Sequence, residues 1–195
     1  MIRDSIESEP LKKNEAVSQT KMPFVVWFTG LSGSGKTTVS SNLKQTLSEK
    51  GFLSVIFDGD TMRKGISRDL GFSDDDRKEN IRRTAEMAKL VALSGVNAIC
   101  ALISPFLVDR QQAREILSDF HFVEVFVDTP LEVCEQRDSK GFYKRARIRE
   151  ILDFTGIDSI YENPVHPEVR ITTDGVSTEE CVQAIMGYLD KRGIL

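Results

Sequence analysis

The chain has 195 residues, 40% of them hydrophobic and 29% charged, with 26 Lys+Arg against 30 Asp+Glu and a formal net charge of -4. That length and apolar content suit one domain with its own buried core, and they exclude fibrous, collagen-like and wholly disordered chains. The mild acidity excludes a surface that grips nucleic acid throughout, although an average leaves room for a local basic patch.

Residues 1–21 mix Arg3, Lys12, Lys13 and Lys21 with Asp4, Glu7, Glu9 and Glu15, show no sustained apolar period, and read as a flexible extension before a domain at 22–195. The start carries acids and lacks an apolar h-region, and no run approaches a membrane span, so the expected address is the cytoplasm. Cys100, Cys134 and Cys181 are widely spaced without a CxxC, and His121 and His166 stand apart, so neither a disulfide framework nor a zinc site is expected.

The first strand is predicted at residues 24–29. Gly30-Leu31-Ser32-Gly33-Ser34-Gly35-Lys36-Thr37 follows directly, fitting GxxxxGK[ST], with a helix predicted at 36–50. Glycines let successive backbone N–H groups turn inward onto phosphate oxygens, and the helix adds its positive N-terminal end. Lys36 then reaches the β- and γ-phosphates of a nucleoside triphosphate and the Thr37 hydroxyl ligates Mg²⁺, with Thr38 beside it. The expected ligands are ATP and Mg²⁺.

A second strand is predicted at 53–57, ending in Asp58-Gly59-Asp60, where the glycine lets the chain bend between two carboxylates. One carboxylate suits accepting a hydroxyl proton and the other holding Mg²⁺ through water, the two tasks phosphoryl transfer sets for acids. The helix predicted at 76–94 carries Ile81, Ala85, Ala88 and Ala92 as one apolar stripe, with Arg77 and Asn80 three apart on a face suited to an anion. Arg63 lies a few residues past the carboxylates. Phe72 and Phe154 fall in polar, glycine-flanked segments where core side chains are not expected.

A third strand at 96–103 ends before Ser104 and Pro105. A helix at 109–118, a strand at 122–127 and a helix at 131–137 follow. Between Arg137 and Glu150 six basic residues face two acids, a local charge of +4 in a chain of -4, which suits a lid closing over polyphosphate. A strand at 169–173 and a helix at 178–191 complete the order. Alternating apolar strands and helices, with no internal repeat, predict an α/β P-loop NTPase fold: a five-stranded parallel sheet, its strands buried on both faces beneath helices.

DGDTMR at 58–63, LGFS at 70–73, DRKENIRR at 76–83, ISP at 103–105, EVFVDTPLEVCEQRD at 124–138, and KGFYKRAR with FTGID within 140–158 together resemble adenylylsulfate kinase, over about residues 23–168. The resemblance implies transfer of the ATP γ-phosphate to the 3′-hydroxyl of adenosine 5′-phosphosulfate (APS), giving 3′-phosphoadenosine 5′-phosphosulfate in sulfate activation. It implies that Lys36, Asp58 and Asp60 serve catalysis and that Thr37 and Asp58 serve the metal. It implies that Arg63, Arg77, Asn80, Ile103, Ser104 and Lys144 contact APS, that Phe72 and Phe154 sandwich its adenine, and that Arg137 contacts ATP. Ser104 matches a serine recorded as a phosphoserine intermediate in some bacterial members. A direct transfer between aligned substrates needs no such step. A homodimer and functional coupling to an ATP sulfurylase are also implied.

The sequence departs from the family pattern at Thr61, Phe106, Leu107, Val108, Arg149 and Leu152, with Arg149 standing where the family has glycine, a flexible hinge point. Two other readings stay open on the sequence alone: a kinase of the same family acting on another activated nucleotide, and a nucleotide-sensing domain without catalysis.

Overall fold

The computed structural model describes residues 21–195, so the extension read at residues 1–21 falls, apart from Lys21, outside the described residues. The chain runs β1 (Phe24–Thr29), α1 (Lys36–Glu49), β2 (Ser54–Asp58), α2 (Gly59–Lys64), α3 (Asp74–Leu93), β3 (Asn97–Ala101), α4 (Leu107–Ile116), β4 (His121–Val127), α5 (Leu131–Arg137), α6 (Phe142–Arg147), β5 (Val169–Ile171) and α7 (Thr178–Lys191). The five strands pair in the order β2-β3-β1-β4-β5, and every pairing is parallel. The central β1, apolar at five of six positions, is buried along its whole length, as a strand covered on both faces must be.

Alternate side chains of β1 feed two cores. Phe24, Val26 and Phe28 pack beneath α1 and α7 with Leu43, Leu47 and Ile185. Val25 and Trp27 pack on the opposite face with the stripe of α3, Ile81, Ala85 and Ala88. The small residues of that stripe let α3 lie close against the sheet, so the end of α3 that carries Arg77 and Asn80 is held at a fixed distance from the strand tips. No helix among the described residues is long and apolar enough to cross a membrane.

The expectation of burial on both faces fails at β2, whose Val55 is 39% exposed, because β2 is an edge strand. Two helices escape the sequence reading, α2 and α6, each of six residues and too short to display a 3.6-residue period. The Asp58-Gly59-Asp60 segment is therefore not a glycine bend. Asp58 is the N-cap of α2, its Oδ1 accepting from the N–H groups of Asp60 (3.0 Å) and Thr61 (3.4 Å), and Gly59 is the first helical residue. Helix α3 begins two residues earlier than expected because the Ser73 hydroxyl caps it at the Asp76 N–H.

Arg149, just beyond α6, holds a left-handed φ of 60°, a conformation that costs a side chain about 1–2 kcal/mol. Arg149→Gly is expected to stabilise the fold by up to about 1 kcal/mol, the relieved strain being partly offset by glycine's entropy. A thermal unfolding midpoint that rises by a few degrees is the expected reading, and one that falls would show that the arginine side chain contributes more than the strain costs.

Candidate functional site

Gly30–Thr37 wraps from the end of β1 to the start of α1. Gly30 has φ +148°, and a Cβ there would meet the Val127 carbonyl oxygen at 2.6 Å; Gly35 has φ +98° and a Cβ would lie 2.9 Å from Thr173 Cγ2. Both positions require glycine. The loop is pinned from behind, since the Ser34 carbonyl accepts from the hydroxyls of Thr129 (3.1 Å) and Thr173 (2.9 Å) at the ends of β4 and β5.

Lys36 is 8% exposed, and its ammonium donates to the Gly30 carbonyl (2.9 Å), the Leu31 carbonyl (2.6 Å) and Ser34 Oγ (3.4 Å). Burial lowers its pKa from 10.5 to about 8, against an upward pull that includes the Asp58 and Asp60 carboxylates. Thr37 Oγ1 donates to Asp58 Oδ2 at 2.9 Å. Asp58 thus spends one oxygen on the cap of α2 and the other on Thr37, whereas Asp60 makes an ion pair with Lys140.

Two cavities open at the strand tips. One, of about 550 Å³, runs past Gly35, Lys36, Thr37, Thr38 and Arg137. The other, of about 340 Å³, runs between Arg63, Phe72, Arg77, Asn80, Ile103, Ser104 and Phe154. They share Ser32, Gly33, Lys36, Thr37, Asp58, Asp60 and Lys140, so the loop lysine and both aspartates stand on their common wall. Gly30, Leu31 and Ser34 sit behind the loop, where they hold Lys36 rather than line a cavity. Arg137 donates to Thr173 Oγ1 (2.6 Å) and the Thr173 carbonyl (2.7 Å), which fixes it at the nucleotide-sized cavity's edge.

The smaller cavity is built for a flat anion. The Arg63 guanidinium lies 4.6 Å from the ring centroid of the exposed Phe72, and Arg77 donates to the carbonyls of Phe72 (2.9 Å) and Asp153 (2.8 Å). Burial lowers the pKa of both arginines, and the Arg77 charge lowers Arg63 further, so two partly desolvated cations stand side by side. The Asn80 side-chain oxygen is buried without a hydrogen-bond partner. Phe154 corrects the expectation that it lies outside the core: it is 8% exposed and meets Tyr143 edge-on at 4.9 Å within a third apolar cluster, with its ring still on the cavity wall.

Ser104 is buried at φ +46°; its Oγ accepts from Trp27 Nε1 at 3.1 Å, and its carbonyl accepts from Arg110. The side chain is tied into the second core as well as lining the cavity.

Lys144 is placed away from both cavities. On α6, Phe142 and Arg145, three apart, face the smaller cavity, while Lys144 is exposed and lines neither one. Lys140 occupies the common wall instead. The +4 stretch is also less concentrated than its sum suggests, because Arg147 pairs at 2.8 Å with Glu135 and Lys140 pairs with Asp60, both acids outside the stretch. Lys140, Phe142 and Arg145 line the smaller cavity and are not among the residues expected from the sequence. The local signal that marks their position is Gly141, whose φ of +67° starts α6.

A sequence model of the family described as Adenylylsulphate kinase matches residues 22–172. An adenylyl-sulfate kinase of Marinobacter nauticus is 48% identical over 94% of this chain and 92% of its own length. One of Clostridium acetobutylicum is 53% identical over 88% and 85%. The structure of a Mycobacterium tuberculosis APS kinase in complex with AMPPNP and APS superposes with a TM-score of 0.84 at 46% identity, covering 87% of this chain and 98% of that one. A phosphate loop opening onto two cavities that share its lysine, together with this match across the domain, places the chain in the adenylylsulfate kinase family.

Proposed function

We propose that the chain transfers the γ-phosphate of ATP to the 3′-hydroxyl of APS, releasing ADP and 3′-phosphoadenosine 5′-phosphosulfate. The observation that carries this reading is the common wall: donor and acceptor cavities meet where Lys36, Asp58 and Asp60 stand, so two bound nucleotides present phosphate and hydroxyl to each other without a covalent relay.

Each side chain then has a task. Loop N–H groups and Lys36 hold the transferred phosphoryl group and balance its charge. Asp60, whose carboxylate is free of backbone bonds, accepts the hydroxyl proton, with Lys140 positioning it. Phe72 and Phe154 hold the acceptor's adenine by stacking, while Arg63, Arg77 and Asn80 meet its charged and polar groups. Thr37 and Asp58, a hydroxyl and a carboxylate 2.9 Å apart beside Lys36, fit Mg²⁺, and among the described residues no group of three or more His, Cys, Asp or Glu forms an all-protein metal cage. Two protein donors suit an ion that keeps its waters and takes phosphate oxygens. When bound, Mg²⁺ neutralises charge on those oxygens.

The acceptor is tested by supplying MgATP with APS, with other nucleotides, or alone. ADP formation that depends on APS is expected. ADP formed only with a different acceptor would redirect the assignment, and none with any acceptor would favour a sensing domain. We also propose a homodimer, which size-exclusion chromatography with light scattering would report as twice the 21.9 kDa chain. Coupling to an ATP sulfurylase would show as faster product formation from sulfate when the two enzymes are mixed.

Ser104→Ala is expected to keep measurable turnover. Loss of the hydroxyl leaves the buried Trp27 N–H without a partner and costs about 1–3 kcal/mol of stability. Complete loss of activity in a folded variant would instead support a phosphoserine intermediate.

A further inference from the structure

Besides their common wall, the two cavities are joined through α6 by a hydrogen bond and a ring contact. Tyr143, on α6, is 2% exposed and lines the larger cavity, and its hydroxyl donates to the Ser32 carbonyl at 2.8 Å. Its ring meets Phe154 edge-on, with centroids 4.9 Å apart and planes at 78°, in an apolar cluster shared with Cys134 and Ala146. Phe154 forms the wall of the smaller cavity. The same segment touches the phosphate loop again, since the position of a Cβ on Gly156 lies 3.0 Å from Leu31 Cδ2.

The Ser32 carbonyl and the Gly33 N–H belong to a single planar peptide unit. An N–H of that unit turned onto a phosphate oxygen fixes the direction of the carbonyl on its other side. That carbonyl is the acceptor of the Tyr143 hydroxyl, so its direction sets the position of the tyrosine, and through the tyrosine that of the Phe154 ring.

From this geometry we infer that Tyr143 is a positioning residue that couples the two substrates: a nucleotide on the phosphate loop tightens the acceptor cavity through Ser32, Tyr143 and Phe154. The inference rests on the proposed function, which supplies the identity of both ligands. Coupling of this kind is reciprocal, so the acceptor tightens the nucleotide by the same factor.

The test is calorimetric titration of APS into the full chain, with and without saturating Mg²⁺ and AMPPNP, for the wild type and Tyr143→Phe. In the wild type AMPPNP is expected to tighten APS by about 5-fold or more, and APS to tighten AMPPNP equally. Tyr143→Phe keeps the ring that fills the cluster and removes only the hydroxyl. Its APS affinity without nucleotide is expected to stay within about 2-fold of wild type, while the coupling factor falls towards one. A purely structural role for the tyrosine would weaken APS in both conditions and leave the factor unchanged, which would overturn the inference. Phe154→Leu cuts the path at its other end; there APS weakens in both conditions and the factor again falls. A wild type that binds APS equally with and without AMPPNP would overturn the inference and leave the proposed function standing, whereas a wild type that never binds APS would overturn both.

Discussion

Lys36→Ala is expected to lower kcat by at least about 10²–10³-fold while the chain stays folded. The lysine stands on the wall common to both cavities, and its partners within the protein are two loop carbonyls and one hydroxyl, all from the phosphate loop itself. It belongs to none of the three apolar clusters, so the effect falls on the balance of charge around the transferred phosphoryl group. The wild-type pH profile carries the same signature. Burial holds the amine at about pKa 8, so the free enzyme loses this cation as pH rises through that value and kcat/KM for ATP is expected to fall above it. Bound phosphates favour the ammonium, so kcat itself should persist to higher pH. In Lys36→Ala the limb near pH 8 disappears. A profile identical to wild type, scaled down, would assign that limb to another group.

Asp60→Asn is expected to lower kcat by about 10²–10⁴-fold with little change in KM for either substrate. The amide is nearly isosteric and α2 keeps its cap, because the cap belongs to Asp58. What is lost is the proton acceptor and the charge that holds Lys140. Asp58→Asn differs in kind, since it alters the Thr37 contact and the helix cap together, and its loss should include a raised requirement for Mg²⁺. Steady-state kinetics of the two variants over a range of Mg²⁺ concentrations separates these roles. Equal Mg²⁺ dependence in both would contradict the division of labour between the carboxylates.

The parts of the fold legible in the sequence are those with a period or a strong local constraint. Phe24–Thr29 is a six-residue apolar run and is the buried central strand; Ile81, Ala85, Ala88 and Ala92 are a stripe and lie against the sheet. The phosphate loop is legible because Gly30 and Gly35 hold conformations that other residues rarely adopt. Six-residue helices carry no such period, so on the sequence α2 reads as a bend and α6 as part of a lid. The Asp58 cap of α2 had a readable signal, an Asp directly before a short helix-compatible run. The placing of Lys144 had none, because it depends on which face of α6 meets the cavity. That face is set by the burial of Tyr143 and Ala146 against Cys134 and Phe154, residues distant enough in sequence that only the fold brings them together. Counting charge over Arg137–Glu150 overstated the lid's field for a similar reason: Arg147 finds Glu135 across a turn that composition does not reveal.

The central claim is that one phosphoryl group crosses the wall between the two cavities. Incubation with ATP labelled at the γ-phosphate, Mg²⁺ and APS, followed by separation of the nucleotides, tests it directly. Label recovered on the 3′-oxygen of phosphoadenosine phosphosulfate, and absent from that product with Lys36→Ala, is the predicted result. Label released only as inorganic phosphate, or retained in ATP when APS is present, would contradict it.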